Sequence, residues 1–490
     1  MKSLLPLVLI LGTFISGSQQ VMGEVRLPNV FGSNMVLQQQ KPIVVWGWDA
    51  PGTPVTVTLG TESAQATTDS KSQWKATLPA MEADGKTYTM TVQGSTAVTF
   101  ENVVLGEVWL ASGQSNMDLW LDDRVAKTAD FPDLRLLHVE KQINANPQAN
   151  IKGAWAACSP ASAHGFSGAA FFYGLELQKN LKVPVGIIQA AVSGSPIEAW
   201  TPPQGFAMLP AGIKPPGKGM WPWPVQLYDG MIHPLVPFSI RGTVWYQGEA
   251  NRDEGASYTD RMKALVGSWR KLWGDDFAFY FVQIGPLEYP YQGPGVGPVF
   301  WEAQAAAAKE IPNAGMIVIN DIASLHGDVA SLQLHPPNKR DVGKRLALLA
   351  LAKTYGQKDL VYSGPTFQAM TLEGDKIRVT FDNVGSGLVA RDGKPLTYFE
   401  IVDADQGDFV PATADIDGAS IVLSSPDVRK PVAMRFAWAN TAIPNLMNKE
   451  GLPAGAFRAG DVPDRLAKAV APPPAPVLTP TSSPPVPSHN

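Results

Sequence analysis

The chain has 490 residues, 45% of them hydrophobic and 17% charged, with a mean hydropathy of −0.04 and a net charge of −5. That is ordinary globular composition, neither disordered nor membrane-spanning, and at about 150 residues per domain it leaves room for roughly three domains. With 39 Lys+Arg against 44 Asp+Glu and no basic block, the chain cannot neutralise a phosphate backbone, so nucleic acid is not an expected partner.

Residues 1–23 read as a cleaved signal peptide. Lys2 supplies the positive start, Leu4 to Ile15 the apolar stretch, and Val21-Met22-Gly23 the small-residue site before Glu24. That stretch is too short to cross a bilayer, and no later one approaches ~20 apolar residues. The mature protein is therefore expected to be secreted or periplasmic and free of the membrane. Only Cys158 is present, which excludes an internal disulfide, and six His leave little material for a structural zinc site. No metal and no cofactor are expected.

Residues 24–104 carry short strands. Val55 to Leu59 and Tyr88 to Val92 alternate with period two, and Pro51-Gly52 and Asp84-Gly85 supply turns. This is an N-terminal β region. Between 105 and 355 the rhythm changes to buried apolar strands at Val108–Leu110, Val185–Ile188, Thr243–Trp245, Phe279–Val282 and Met316–Ile319. Helical faces lie between and after them: Tyr258, Met262, Leu265, Val266, Trp269 and Trp273 on one, Val342, Leu346 and Leu349 on another. Strands alternating with helices predict an α/β domain, a mostly parallel sheet with helices on both faces and its site at the carboxyl ends of the strands. From 356 to 460 strand signals return at Lys376–Phe381, Phe399–Ile401 and Ser420–Leu423, a C-terminal β region. Residues 461–490 are a Pro-rich tail expected to be disordered, with eight Pro after residue 470.

Chemistry-bearing residues gather where the strands end. Ser115 follows the first buried strand in Gly113-Gln114-Ser115-Asn116-Met117, and Gly113 lets the backbone turn so that the hydroxyl faces the crevice. Ser193-Gly194-Ser195 follows the Ile187-Ile188 strand, where a glycine amide can approach a reacting oxygen. Gln247-Gly248-Glu249-Ala250-Asn251 follows the Trp245 strand, and His335 precedes the last helix in His335-Pro336-Pro337-Asn338-Lys339. Each segment alone is equally a loop tie. Together, with Ser first, amide donors in the middle and His last, all at strand exits, they are harder to dismiss, because an acyl-transfer site needs those groups.

These motifs together resemble the sialate O-acetylesterase family of SGNH hydrolases. Gly32-Ser33-Asn34-Met35-Val36-Leu37-Gln38, Met231-Ile232-His233-Pro234 and Asn445 to Pro453 extend the resemblance over roughly residues 26–460. It implies an SGNH-type, flavodoxin-like parallel sheet with accessory β-sandwich or jelly-roll regions, and removal of acetyl groups from glycans through an acyl-serine. Carried over by motif position, Ser115 is the nucleophile and His335 the general base. The Ser115 amide, the Gly194 amide and the Gln247 side chain form the oxyanion hole. Family members generally have Asp two residues before the His; here Gln333 stands there and cannot stabilise an imidazolium. Asp328 is the first substitute, with Asp321 and Glu302 next. A metal at His326, Asp328 and His335 fits no usual zinc spacing.

Substrate contacts are expected from Asn116, Glu249 and Asn251 beside the motifs and from Trp221 and Trp223 in a Pro/Gly-rich loop, since indole faces suit sugar rings. Trp200 is a further sugar-contact candidate, although its position also suits packing behind the oxyanion loop. The expected partner is an acetylated, hemicellulose-type carbohydrate. Two alternatives stay open: a sialate substrate, for which the motif loops offer no Arg cluster, and a non-catalytic glycan binder on an esterase scaffold, motivated by Gln333. A glycosidase using Glu249 and Asp321 is a third and weaker reading.

Overall fold

The computed structural model describes residues 24–213, 223–288, 293, 295–405 and 407–463. The predicted signal peptide, Trp221 and all but the first three residues of the Pro-rich tail lie outside the described residues.

The centre of the molecule is a sheet of seven strands: β1 (Ala97–Gly113), β2 (Phe131–His138), β3 (Trp155–Cys158), β4 (Val185–Ala191), β5 (Gly242–Tyr246), β6 (Ala278–Val282) and β7 (Ala314–Ile317). Their spatial order is β7-β6-β5-β1-β4-β2-β3, and every pairing is parallel except that of β2 with the short β3. Successive residues face opposite sides, so each strand feeds two cores. Val108, Leu110, Trp245, Phe279 and Phe281 point to one side and join Tyr258, Met262, Leu265 and Trp269 of α3 (Ser257–Trp273) and Phe300 of α4 (Val296–Glu310). Trp109, Ala111, Val244, Tyr280 and Val282 point to the other and meet Phe171 and Tyr173 of α2 (Gly168–Leu181) and Val342, Leu346 and Leu349 of α5 (Lys339–Lys353). The faces read from the sequence for α3 and α5 are the faces that are buried, with Trp273 only half so.

β1 does not stop at residue 105, where the composition divides the chain. Its first half pairs antiparallel with Thr87–Gln93, its middle pairs with Val36–Gln38, and its second half enters the parallel sheet between β4 and β5. The one irregularity in the ladder is a bulge at Asn102, whose φ is +55°, and pairing resumes on both sides of it. The N-terminal β region is therefore continuous with the catalytic sheet.

In the C-terminal region one four-stranded antiparallel sheet (366–373, 376–382, 413–417, 420–424) faces another (399–403, 410–411, 431–436, 457–460). Phe457 joins them, with Phe367, Phe436 and Phe381 rings at 5.0, 5.3 and 5.7 Å. This region is tied to the α/β domain. Asn320 Nδ2 donates to the Ala454 carbonyl at 2.8 Å, and Gly297 N–H donates to Asn440 Oδ1 at 2.9 Å.

Candidate active site

β1 lies at the point where chain connections diverge to β4 on one side and β5 on the other, the place where an open parallel sheet leaves a crevice beyond its carboxyl ends. Gly113 ends β1 with φ of +137°, and a Cβ there would stand 2.2 Å from the Tyr246 carbonyl oxygen of β5. Only glycine allows that approach. Gln114 N–H then donates to the same Tyr246 oxygen at 2.9 Å. The Gln114 side-chain oxygen accepts from Gly248 and Ala250 N–H, so the turn is tied to the segment after β5. Ser115 opens α1 (Ser115–Asp118) and is half-buried.

His335 arrives from the loop before α5, and its Nε2 lies 2.9 Å from Ser115 Oγ. With a neutral ring, the hydroxyl donates and the imidazole accepts, the arrangement that activates a serine. Partial burial, and then the nearby Lys339, hold the His335 pKa below its ordinary value, which favours the base form. Ser115 and His335, 220 residues apart, are thus brought together.

Gly194 lies in the loop that follows β4, whose last residue, Ala191, pairs with Gly113 of β1. It is exposed, has φ of +73°, and among the described residues no acceptor takes its N–H. Its loop is braced from behind. Ser195 Oγ donates to the Val192 carbonyl at 2.7 Å and accepts from Trp200 Nε1 at 2.9 Å. On its outer side Ser193 Oγ donates to Asp118 at 2.7 Å, and Asp118 also takes Lys141 Nζ at 2.7 Å. Sequence reading did not single out Asp118 or Lys141.

Several expected site residues have other work. The Gln247 side chain is fully buried: its Nε2 donates to Asn251 Oδ1 at 2.7 Å and to the Ser195 carbonyl at 3.2 Å, and its Oε1 accepts from Tyr258 at 2.7 Å. Both amide hydrogens, expected to face an oxyanion, are here taken by Asn251 and the Ser195 carbonyl, so that Gln247 braces the loop that carries Gly194. Asn251 is buried between Gln247, the Ile197 N–H and Glu198, and Glu198 pairs with Arg261. Trp200, with no exposed surface, packs behind the loop. Asn116 and Glu249 are buried and bonded to each other at 2.6 Å. Asn116, Glu249, Asn251 and Trp200, expected as substrate contacts, are therefore buried and bonded within the protein instead of facing solvent. Trp223 is 56% exposed and free of that correction.

The substitutes for the missing carboxylate are also engaged elsewhere. Asp328 is exposed and accepts the Ser331 N–H at 2.8 Å, capping the short turn 329–331. Asp321 makes two bonds to Arg345, at 2.7 and 2.6 Å, and Glu302 pairs with Arg458 at 3.0 Å. Gln333 turns its amide back onto the Ser331 and Leu332 carbonyls. Among the described residues no carboxylate comes within 4.0 Å of the His335 ring. Ser115 and His335 therefore stand as a pair, without a carboxylate beside the imidazole among the described residues.

Exposed apolar side chains occur in the two segments that carry Ser115 and His335. Leu119 and Trp120 follow α1, and Leu325, Val329 and Leu334 belong to the loop that carries His335. Trp120, at 62% exposure, is the most open of them. Such surface is ready to lose water to a partner.

A family model described as carbohydrate esterase, sialic acid-specific acetylesterase, matches residues 105–352. Sialate O-acetylesterase of Pongo abelii is 28% identical over 466 residues, covering 84% of this chain and 87% of that protein. The Homo sapiens protein of the same name is 27% identical over the same span and coverage. Among solved structures, a carbohydrate acetylesterase from Xanthomonas citri is 35% identical with a TM-score of 0.81, over 89% of this chain and 99% of that one.

Proposed function

We propose, from the fact that the chain belongs to the carbohydrate esterase family of sialic acid-specific acetylesterases and is a carboxylic-ester hydrolase, that it removes O-acetyl groups from neutral, hemicellulose-type glycans through an acyl-Ser115 intermediate. The observation that carries the reading is the 2.9 Å contact between Ser115 Oγ and His335 Nε2 at the carboxyl end of β1. In this reading His335 takes the hydroxyl proton as Ser115 attacks the acetyl carbonyl. The Gly194 and Ser115 amides receive the developing oxyanion, each such donor being worth about 10²–10³ in rate. His335 then gives its proton to the departing sugar oxygen, and water releases acetate by the reverse sequence.

The choice of a neutral glycan rests on where the cations are. A sialate substrate carries a carboxylate, which calls for an unengaged cation, Arg above all. Arg241 is fixed on Glu107 by bonds of 2.7 and 3.0 Å, Arg124 pairs with Asp122, and Lys141 is held by Asp118. The exposed apolar side chains of Leu119, Trp120 and Leu334 favour the C–H faces of neutral sugars. Sialate is the second reading, favoured by the names of the mammalian relatives. The strand order without β2 and β3 is read as flavodoxin-like, and export follows from residues 1–23 as read above. Acetate release from acetylated xyloglucan, acetylated xylan and O-acetylated sialic acid, each with wild type and Ser115→Ala, decides among them. Release that survives Ser115→Ala overturns the mechanism, and preference for the sialate overturns the substrate.

A further inference from the structure

Lys339 is the first residue of α5 and is 4% exposed. On grounds of stability it is a poor choice there. A cation at a helix N-terminus opposes the helix dipole, and a buried ammonium has lost its water. An apolar side chain of the same length would fit the site with neither cost. Its surroundings indicate what the ammonium does. Nζ donates to Asn116 Oδ1 at 2.6 Å and lies 5.1 Å from the centre of the Tyr246 ring. The Asn116 amide donates in two directions: to Glu249 Oε1 at 2.6 Å and to the Leu334 carbonyl at 3.0 Å. Asn116 adjoins Ser115, and Leu334 adjoins His335. One buried side chain therefore clamps the residue after the nucleophile to the peptide before the base, and Lys339 and Glu249 fix the orientation of that side chain from opposite ends.

We infer that Lys339 is a positioning residue for His335, acting through Asn116 and the Leu334 carbonyl with Glu249 as its counter-charge, and that this clamp does the holding for which family members use an aspartate beside the histidine. The inference rests on Ser115 and His335 being the reacting pair. The clamp differs from an aspartate in one respect. An aspartate stabilises imidazolium, whereas a nearby ammonium disfavours it, so the ring stays in its base form toward lower pH. Burial pushes the Lys339 pKa down to about 7, with Glu249 opposing that shift, and burial raises the Glu249 pKa. Of the other charged groups at hand, Arg252 also acts on Glu249 and works against the rise of its pKa, and the rest face elsewhere. Arg252 donates to the Glu249 main-chain carbonyl, Arg340 lies over the Phe172 ring, and Asp341 is bonded to Asn338.

The test uses the full-length mature protein, a small acetyl ester as probe, and four variants: Lys339→Met, Glu249→Gln, the two combined, and Ser115→Ala. Lys339→Met is expected to lower kcat tenfold or more with KM changed less than twofold. It should also raise the midpoint of the acid limb of kcat/KM, and it should lower Tm, because the buried Glu249 carboxylate and Asn116 Oδ1 lose their cation. Glu249→Gln keeps the shape of the clamp and removes its charge. Without that counter-charge Lys339 holds its proton less firmly, so the same limb should move in the same direction by less, and the double variant should go no further than Lys339→Met. A limb that stays where wild type has it in both single variants overturns the inference, whether kcat is kept or falls together with Tm. If Lys339→Met does not fold, Glu249→Gln decides alone by the same criterion. Ester turnover surviving Ser115→Ala would instead show that the reading of the dyad has failed.

Discussion

Replacing Gly113 by alanine should damage the site from beneath without touching a reacting group. The added Cβ would meet the Tyr246 carbonyl oxygen at 2.2 Å and its carbon at 2.7 Å, both main-chain atoms of β5 that no rotamer change can move. Restoring ordinary contact needs a separation of about 1 Å between β1 and β5. The Gln114 N–H to Tyr246 bond, now 2.9 Å, would then be stretched beyond hydrogen-bond range. Holding a non-glycine residue at φ of +137° adds about 1–3 kcal/mol, and the lost bond about 1 kcal/mol. The total, roughly 2–4 kcal/mol, should lower Tm by at least ~4 °C. Because Ser115 sits two residues beyond the clash, a displacement of about 1 Å should cost about 10²-fold in kcat. Steady-state turnover of a small acetyl ester and a thermal melt measure both. Gly418→Ala is the control, since Gly418 has φ of +62° in a C-terminal hairpin with nothing within 4 Å of its added carbon. It should lose about 1 kcal/mol and no activity. Wild-type kcat and Tm in Gly113→Ala would refute the argument that this glycine sets the nucleophile.

Ser115→Ala should lose at least ~10⁴-fold in acetate release while melting like wild type, as removal of a nucleophile does in serine hydrolases. Asp328→Ala should keep kcat within about twofold and lose about 1 kcal/mol of local stability, because its carboxylate caps a turn instead of orienting His335; a large loss in kcat would restore it to the mechanism. His335 acts as a base, so kcat/KM should be full above its pKa and fall as pH drops through it. Since burial and Lys339 both depress that pKa, the midpoint should lie below 6.5 in a pH-rate profile on the small ester, and a midpoint above 6.5 would contradict the placement.

Much of this site is legible in the sequence because strand exits are. The apolar runs ending near Leu110, Ile188 and Trp245 place Ser115, Gly194 and Gln247 at one edge of a parallel sheet, and the order of motifs supplies the rest. What sequence does not separate is a polar residue facing the crevice from one tying two loops together. Asn116, Gln247, Glu249 and Asn251 all stand at strand exits, yet each is buried and bonded to another, a matter decided by residues over 130 positions away in the case of Asn116 and Glu249. The same limit hid Lys339, which reads as an ordinary solvated lysine. Its one sequence signal is a cation in the first turn of a helix, where carboxylates are preferred. Gln333 is legible in the opposite sense: an uncharged residue stands two positions before His335, and the carboxylate expected to replace it, Asp328, is bonded to Ser331 N–H instead.

The uninterrupted β1 also bears on how this protein can be taken apart. Residues 97–104 hydrogen-bond to the strand 87–93, while residues 107–113 are the central rung between β4 and β5. Ser115 and the N-terminal sheet thus hang from one rod of main chain, bent only by the bulge at Asn102. A chimera built by joining a foreign module at residue 105 would cut that rod and leave an open ladder at its stump, next to strand Val36–Gln38, which pairs across the same joint. The N-terminal β region is accordingly not an interchangeable cassette. An engineer who wishes to graft this hydrolase onto another carrier should keep everything from Val25 onward and attach at the far end, after Gly460.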